Sequence, residues 1–175
     1  MSYRLCEFWS ADISILHTAL DDLESFAWVV LWEALRTEYT VKGSEWLGHL
    51  SNADLSIVSN MKAAIRGFYT DPFGIVLDQM NLPSSVITLR PLLTRLFALC
   101  STHSSLINQF IMKISDVKPG NQGRFTPEQL QSMLLMSLDM NHRDKFVRGM
   151  EELCREGYRS FLSILVDEYN NLTLL

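Results

Sequence analysis

Along most of the chain, hydrophobic positions recur at three- and four-residue spacing, the period that brings side chains to one side of a helix. Residues 1–17 show no sustained period and read as a loop with one short turn. A helix opens at Thr18, where Thr18 and Asp21 read as a capping box with an acidic side chain in place of the usual Glu. Asp21, Asp22 and Glu24 place negative charge beside the first-turn N–H groups. Phe26, Trp28, Val29, Val30, Leu31, Trp32 and Leu35 then cover every side of the helix, a pattern that predicts burial at the centre of a domain.

Residues 37–53, with Gly43 and Gly48, read as a loop holding a short helix anchored by Trp46 and Leu47. A second long helix is predicted from Asp54 to Tyr69, with Leu55, Val58, Met61, Ile65 and Phe68 inward and Asp71-Pro72 as its stop. A short segment from Ile75 to Met80 and a break at Pro83-Ser84-Ser85 follow. A third helix starts at Leu89 or Arg90, with Pro91 in the first turn, where its missing N–H costs nothing. Leu92, Leu93, Leu96, Phe97 and Cys100 form its inner face. After Ser101-Thr102-His103-Ser104 another helical stretch reaches Ile114, presenting Leu106, Ile107, Phe110 and Ile111.

Residues 116–125, with Pro119, Gly120 and Gly123, form the clearest loop. Thr126-Pro127-Glu128-Gln129 carries the strongest helix-start signal, and helices are expected from there to Met140, from His142 to Glu156 and from Tyr158 to Tyr169, the last two joined or broken at Gly157. Val86-Ile87-Thr88, the one β-branched run, is too short to predict a strand. The expectation is an all-α fold: a helical block at 1–115, a loop at 116–125, and a C-terminal helical block at 126–175 packed on the first as one domain.

Composition changes this picture little. With 175 residues, 47% hydrophobic and 20% charged, the chain is long and apolar enough to bury a real core without staples. A net charge of −5 argues against nucleic acid and anionic membrane as partners, because both attract a basic surface. The cysteines, Cys6, Cys100 and Cys154, are odd in number and far apart, which fits reduced thiols of an intracellular protein rather than a disulfide framework. His17, His49, His103 and His142 stand without partners at ligand spacing, so no metal site and no cofactor are expected. Ser10 and Ser160 lack nucleophile-elbow glycines. Leu130, Met133, Met136 and Met140 are read as one adaptable apolar face of the Thr126 helix, fit for a protein contact.

Phe8-Trp9-Ser10-Ala11-Asp12, then His17-Thr18, then Asp21-Asp22-Leu23-Glu24-Ser25-Phe26 before a tryptophan-rich helix, occur in an order that resembles the fungus-expanded family of protein-kinase-like domains. Leu89 to Cys100 is similar to a later helix of that family, and the resemblance spans residues 8 to about 103. It implies part of a kinase C-lobe. Asp12 would stand near the end of the activation segment, where an arginine such as Arg95 would pair with it, and Asp22 would match the aspartate that opens the central C-lobe helix and holds the catalytic loop. Without that loop, Asp22 reads better as a first-turn carboxylate that stabilises its own helix. The Gly-rich loop, the catalytic His-Arg-Asp and the metal-binding Asp-Phe-Gly have no counterpart here, so no catalytic residue is expected and the chain alone is expected to be inactive.

The first functional expectation is therefore a non-catalytic, kinase-derived helical domain that binds a protein partner or a second copy of itself, with its C-terminal helices folded back over the central one. Two alternatives stand beside it. One is the C-terminal part of an active fungal-type Ser/Thr kinase; the other is an unrelated helical interaction protein.

Overall fold

The computed structural model describes Ser2, Cys6 and residues 18–70, 77, 79–115, 127–136 and 139–173. Seven helices occupy them: α1 (Ala19–Arg36), α2 (Val41–Leu50), α3 (Leu55–Thr70), α4 (Ser84–Thr88), α5 (Arg90–Ile114), α6 (Pro127–Leu135) and α7 (Met140–Thr173). The described residues are all-α, with a packed helical core.

Helix α1 begins as the sequence predicts. Thr18 is its extended N-cap, and the Asp21 carboxylate accepts both the Thr18 N–H at 2.8 Å and the Thr18 hydroxyl at 2.9 Å. Asp21 is buried and also receives the Ser2 hydroxyl. Leu23, Glu24, Ala27, Trp28, Leu31, Ala34 and Leu35 form one broad buried stripe. Burial on every side does not hold, however: Phe26 is 45% and Val29 57% exposed. These two fall on the side of the helix opposite the stripe's centre and are only partly covered.

Helices α2, α4, α5 and α7 pack most extensively on α1, and α3 meets it through longer side chains. The fold-back expected of the C-terminal helices is supplied by α7, whose Phe161 and Ile164 share a core with Leu23, Trp28, Leu31, Phe97 and Ile65. Each such side chain taken out of water contributes about 1.5–3 kcal/mol. Phe26, exposed as it is, meets Phe161 edge-on with ring centroids 5.7 Å apart.

The short helix expected within 37–53, anchored by Trp46, is ten residues long. Thr40 caps α2 by accepting the Gly43 N–H at 3.0 Å, and Trp46 is fully buried, stacked on Phe68. Gly43 is needed for close approach: a Cβ there would lie 3.1 Å from the Pro83 ring. Before α3, the Asp54 carboxylate takes the Ser56 N–H and hydroxyl, hydrogen bonds that hold its pKa below the ordinary value. Glu38 does the same for Ser84 at the start of α4, and Ser85 ties α4 to α1 by donating to the Ala34 carbonyl at 2.7 Å.

Two predicted interruptions are absent. Ser101–Ser104 does not break the third helix: α5 runs 25 residues, because Cys100, His103, Ile107 and Ile111 keep the buried phase and His103 fills a core position. Nor does Gly157 break α7, which runs 34 residues. Both of its glycines mark close contacts instead. A Cβ at Gly149 would lie 1.9 Å from the Phe110 ring, and one at Gly157 would lie 2.2 Å from Leu20.

Helix α6 rests on the second half of α5 and the first half of α7, forming a smaller core of Ile107, Ile111, Leu130, Leu134, Phe146 and Met150. At the other end of the α5–α7 contact, Arg95 donates to Asp167 at 2.7 Å and Glu168 at 2.9 Å. These groups are partly exposed, so the bridge fixes the register of the two helices and adds at most about 1 kcal/mol.

Candidate functional site

Two i,i+4 pairs face each other where α1 meets α3. On α1, Glu24 and Trp28 are buried, and the indole Nε1–H donates to the Glu24 carboxylate at 3.1 Å. On α3, Lys62 holds its ammonium 4.9 Å over the Trp28 ring, and the Arg66 guanidinium lies 3.9 Å from Glu24. Burial pulls the Lys62 pKa below its ordinary value, against the opposing influence of the nearby Cys6 sulfur and the Glu24 carboxylate. Cys100 lies close enough for burial, chiefly, and the Glu24 charge to push its thiol up to about 12, so it is an inert neutral thiol at physiological pH.

A cleft of about 180 Å³ opens beside this cluster, lined by Ser25, Trp28, Val29, Trp32, Leu50 and Lys62. Its walls are indole and aliphatic surface. Lys62 supplies the one ionisable side chain in the lining. Lysine sits here because its position, between Val58 and Ile65 in the turn of the helix, points inward; the Met61 and Phe68 expected on that face flank it and are only partly buried.

The second candidate is a surface. On the outer side of α7, Tyr158, Leu162, Val166 and Tyr169 are exposed at spacings of four, four and three residues, a continuous apolar stripe on a helix whose inner side is core. Tyr169, at 67% exposure, is the most open of them.

The methionine face expected of the Thr126 helix does not exist as one surface. Leu130 is 1% exposed and belongs to the smaller core with Leu134, four residues on, so that side of α6 points inward. Met133, at the edge of that side, is 55% exposed, Met136 lies exposed just past the end of α6 at Leu135, and Met140 opens α7 rather than continuing α6. Thr126 lies outside the described residues.

Asp12 also lies outside the described residues, and the Arg95 proposed to pair with it instead donates to Asp167 and Glu168. Asp22 is exposed in the first turn of α1. Among the described residues no group of three or more His, Cys, Asp or Glu is placed to hold a metal ion, and no helix is long and apolar enough to cross a membrane.

No family model, curated protein or solved structure matches this chain. The kinase-like, pseudokinase-fragment and fungal-type protein kinase descriptions of residues 8 to about 103 are therefore corrected: nothing among known families supports them. Local physics accounts for the residues that carried the likeness. Asp21 caps the helix, Leu23 is core, Glu24 holds the Trp28 indole and Ser25 donates to the Asp21 carbonyl at 2.7 Å.

In the sequence Glu24 reads as one of the first-turn acids, and nothing in residue type alone marks Lys62 or Arg66. The signal that would have found them was spacing: Lys62 lies in phase with Val58, Ile65 and Tyr69, and Glu24 stands four residues before an indole.

Proposed function

We propose that this protein is a helical binding module whose outer α7 face docks an amphipathic helix of a protein partner. One observation carries the reading: Tyr158, Leu162, Val166 and Tyr169 form an exposed stripe at helical spacing on a long helix held rigid by its opposite side. Such a stripe recognises another helix through anchors at three- and four-residue spacing, and its two tyrosines supply the ring-and-hydroxyl chemistry enriched at protein interfaces. Phe26, its ring against Phe161, adds apolar surface on the α1 side.

A photo-crosslinking amino acid at Tyr169, compared with one at exposed Ala63 on α3, tests this in extracts of the expressing cell. The reading expects a discrete adduct from position 169 that position 63 does not give, with the cross-linked peptide of the partner reading as an amphipathic helix. Adducts only to a second copy of this chain would replace the partner by self-association. Equal labelling at the two positions would remove the surface from consideration.

A further inference from the structure

The cleft between α1, the end of α2 and α3 combines apolar walls with a single sign of charge. Trp28, Val29, Trp32 and Leu50 present hydrocarbon and indole surface, the Ser25 hydroxyl proton is committed to the Asp21 carbonyl, and Lys62 brings an ammonium. A cavity of about 150 Å³ admits a benzene ring. At about 180 Å³, this one has room for a ring or short chain with a small polar head.

We propose that the cleft binds a small apolar carboxylate, an aryl or alkyl acid whose body lies against the two indoles and whose carboxylate meets the Lys62 ammonium. Charge complementarity selects the class. A cation would be repelled by Lys62, which lies 6% exposed with its ammonium over the Trp28 face. A neutral apolar body would forgo the charge-assisted contact that the ammonium offers a carboxylate. Inorganic phosphate would lose its water to mostly apolar walls with one cation to receive it, whereas a monoanion with an apolar tail uses both features. Glu24 and the Cys6 thiol also act on Lys62, so the ligand shares that cation with them. Burial disfavours the charged form of Lys62, and a bound carboxylate would offset that cost, which couples binding to proton retention.

Isothermal titration of the full chain with phenylacetate and hexanoate, against phenylacetamide and inorganic phosphate, tests the assignment. Saturable binding of both acids is expected, with the amide weaker by about tenfold or more and phosphate silent. Lys62→Met keeps an apolar stem in the same space and should erase the preference for acid over amide. Val29→Trp, at an exposed position that tolerates bulk, should fill the cleft and abolish binding of both. The proposal is overturned by equal affinity for acid and amide, by acid binding that survives either substitution in a folded variant, or by absence of saturable heat. Should Lys62→Met fail to fold, the Val29→Trp variant decides alone.

Discussion

The molecule has two cores of unequal make-up, and the contrast separates what holds the fold from what adjusts it. The larger joins α1–α5 and the C-terminal half of α7 through seventeen buried residues, among the described ones, including Trp28, Trp46, Tyr69 and Phe97. The smaller joins α5, α6 and the N-terminal half of α7 through six. Leu20 touches both. The larger also contains the buried ion and indole cluster of Glu24, Lys62 and Arg66, which pins α3 to α1 in one register. The smaller is built on hydrocarbon and the Phe110–Phe146 stack. Local opening should therefore begin at α6 and leave α1–α3 closed.

The largest expected effects come from emptying each core in turn. Phe97 is fully buried against the Trp28 and Tyr69 rings, 4.6 and 5.3 Å away between centroids, and Phe97→Ala should cost about 3–5 kcal/mol and lower amide protection throughout α1, α3 and α5. Phe146→Ala removes an equally buried ring, and its loss of protection should be confined to α6 and the facing turns of α5 and α7. Hydrogen exchange read by mass spectrometry distinguishes the two, and equal loss in α1 from both variants would mean one indivisible core.

A smaller effect comes from the glycine contacts. Gly149→Ala drives a methyl into the Phe110 ring and should destabilise by about 1–3 kcal/mol, outweighing the helix-propensity gain of about 1 kcal/mol. Gly157→Ala meets chiefly the end of Leu20, which can turn away, with the His103 ring 3.4 Å off, so its shift in urea midpoint should be smaller than that of Gly149→Ala.

Smaller again is the cap on the large-core side. Thr40→Ala forfeits the hydrogen bond from the Gly43 N–H and should cost about 1 kcal/mol, seen as a lower melting temperature with unchanged helix content.

The finest test is acid. His103 is buried between α5 and α7, its Nδ1 without a hydrogen-bond partner among the described residues, and burial lowers its pKa from 6.5 against the opposing pull of Glu156. With a lowered folded-state pKa, the unfolded chain takes up the proton first. Stability from the neutral imidazole is thus complete above about 6.5 and declines as the pH falls through that value toward the folded-state pKa. Urea midpoints should fall between pH 7.5 and 5.5 more steeply for the native chain than for His103→Leu.

What was legible in the sequence was local. Thr18 with Asp21, Asp54 before α3 and Pro91 in the first turn of α5 each answer to neighbours within a few residues, so helix starts came out well. Helix ends inside α5 and α7 did not, because His103 and Gly157 were judged by residue type. In the folded chain one fills a core position and the other makes room for Leu20. The cleft was illegible for a related reason. Trp28, Val29 and Trp32 read as generic core, and only the packing of α3 brings Lys62, some thirty residues away in sequence, against them. In α6, Leu130 and Met133 read alike in the sequence because both are apolar; which of them the core covers is decided by Phe146 and Met150, on another helix.

The division of labour on α7, inner side for the fold and outer side for a partner, is tested most directly by charging the outer side alone. In Leu162→Glu with Val166→Glu, both at exposed positions, stability should change by about 0.5 kcal/mol or less while the partner adduct at position 169 is lost. An adduct that persists at full yield, or a variant that no longer folds, would contradict it.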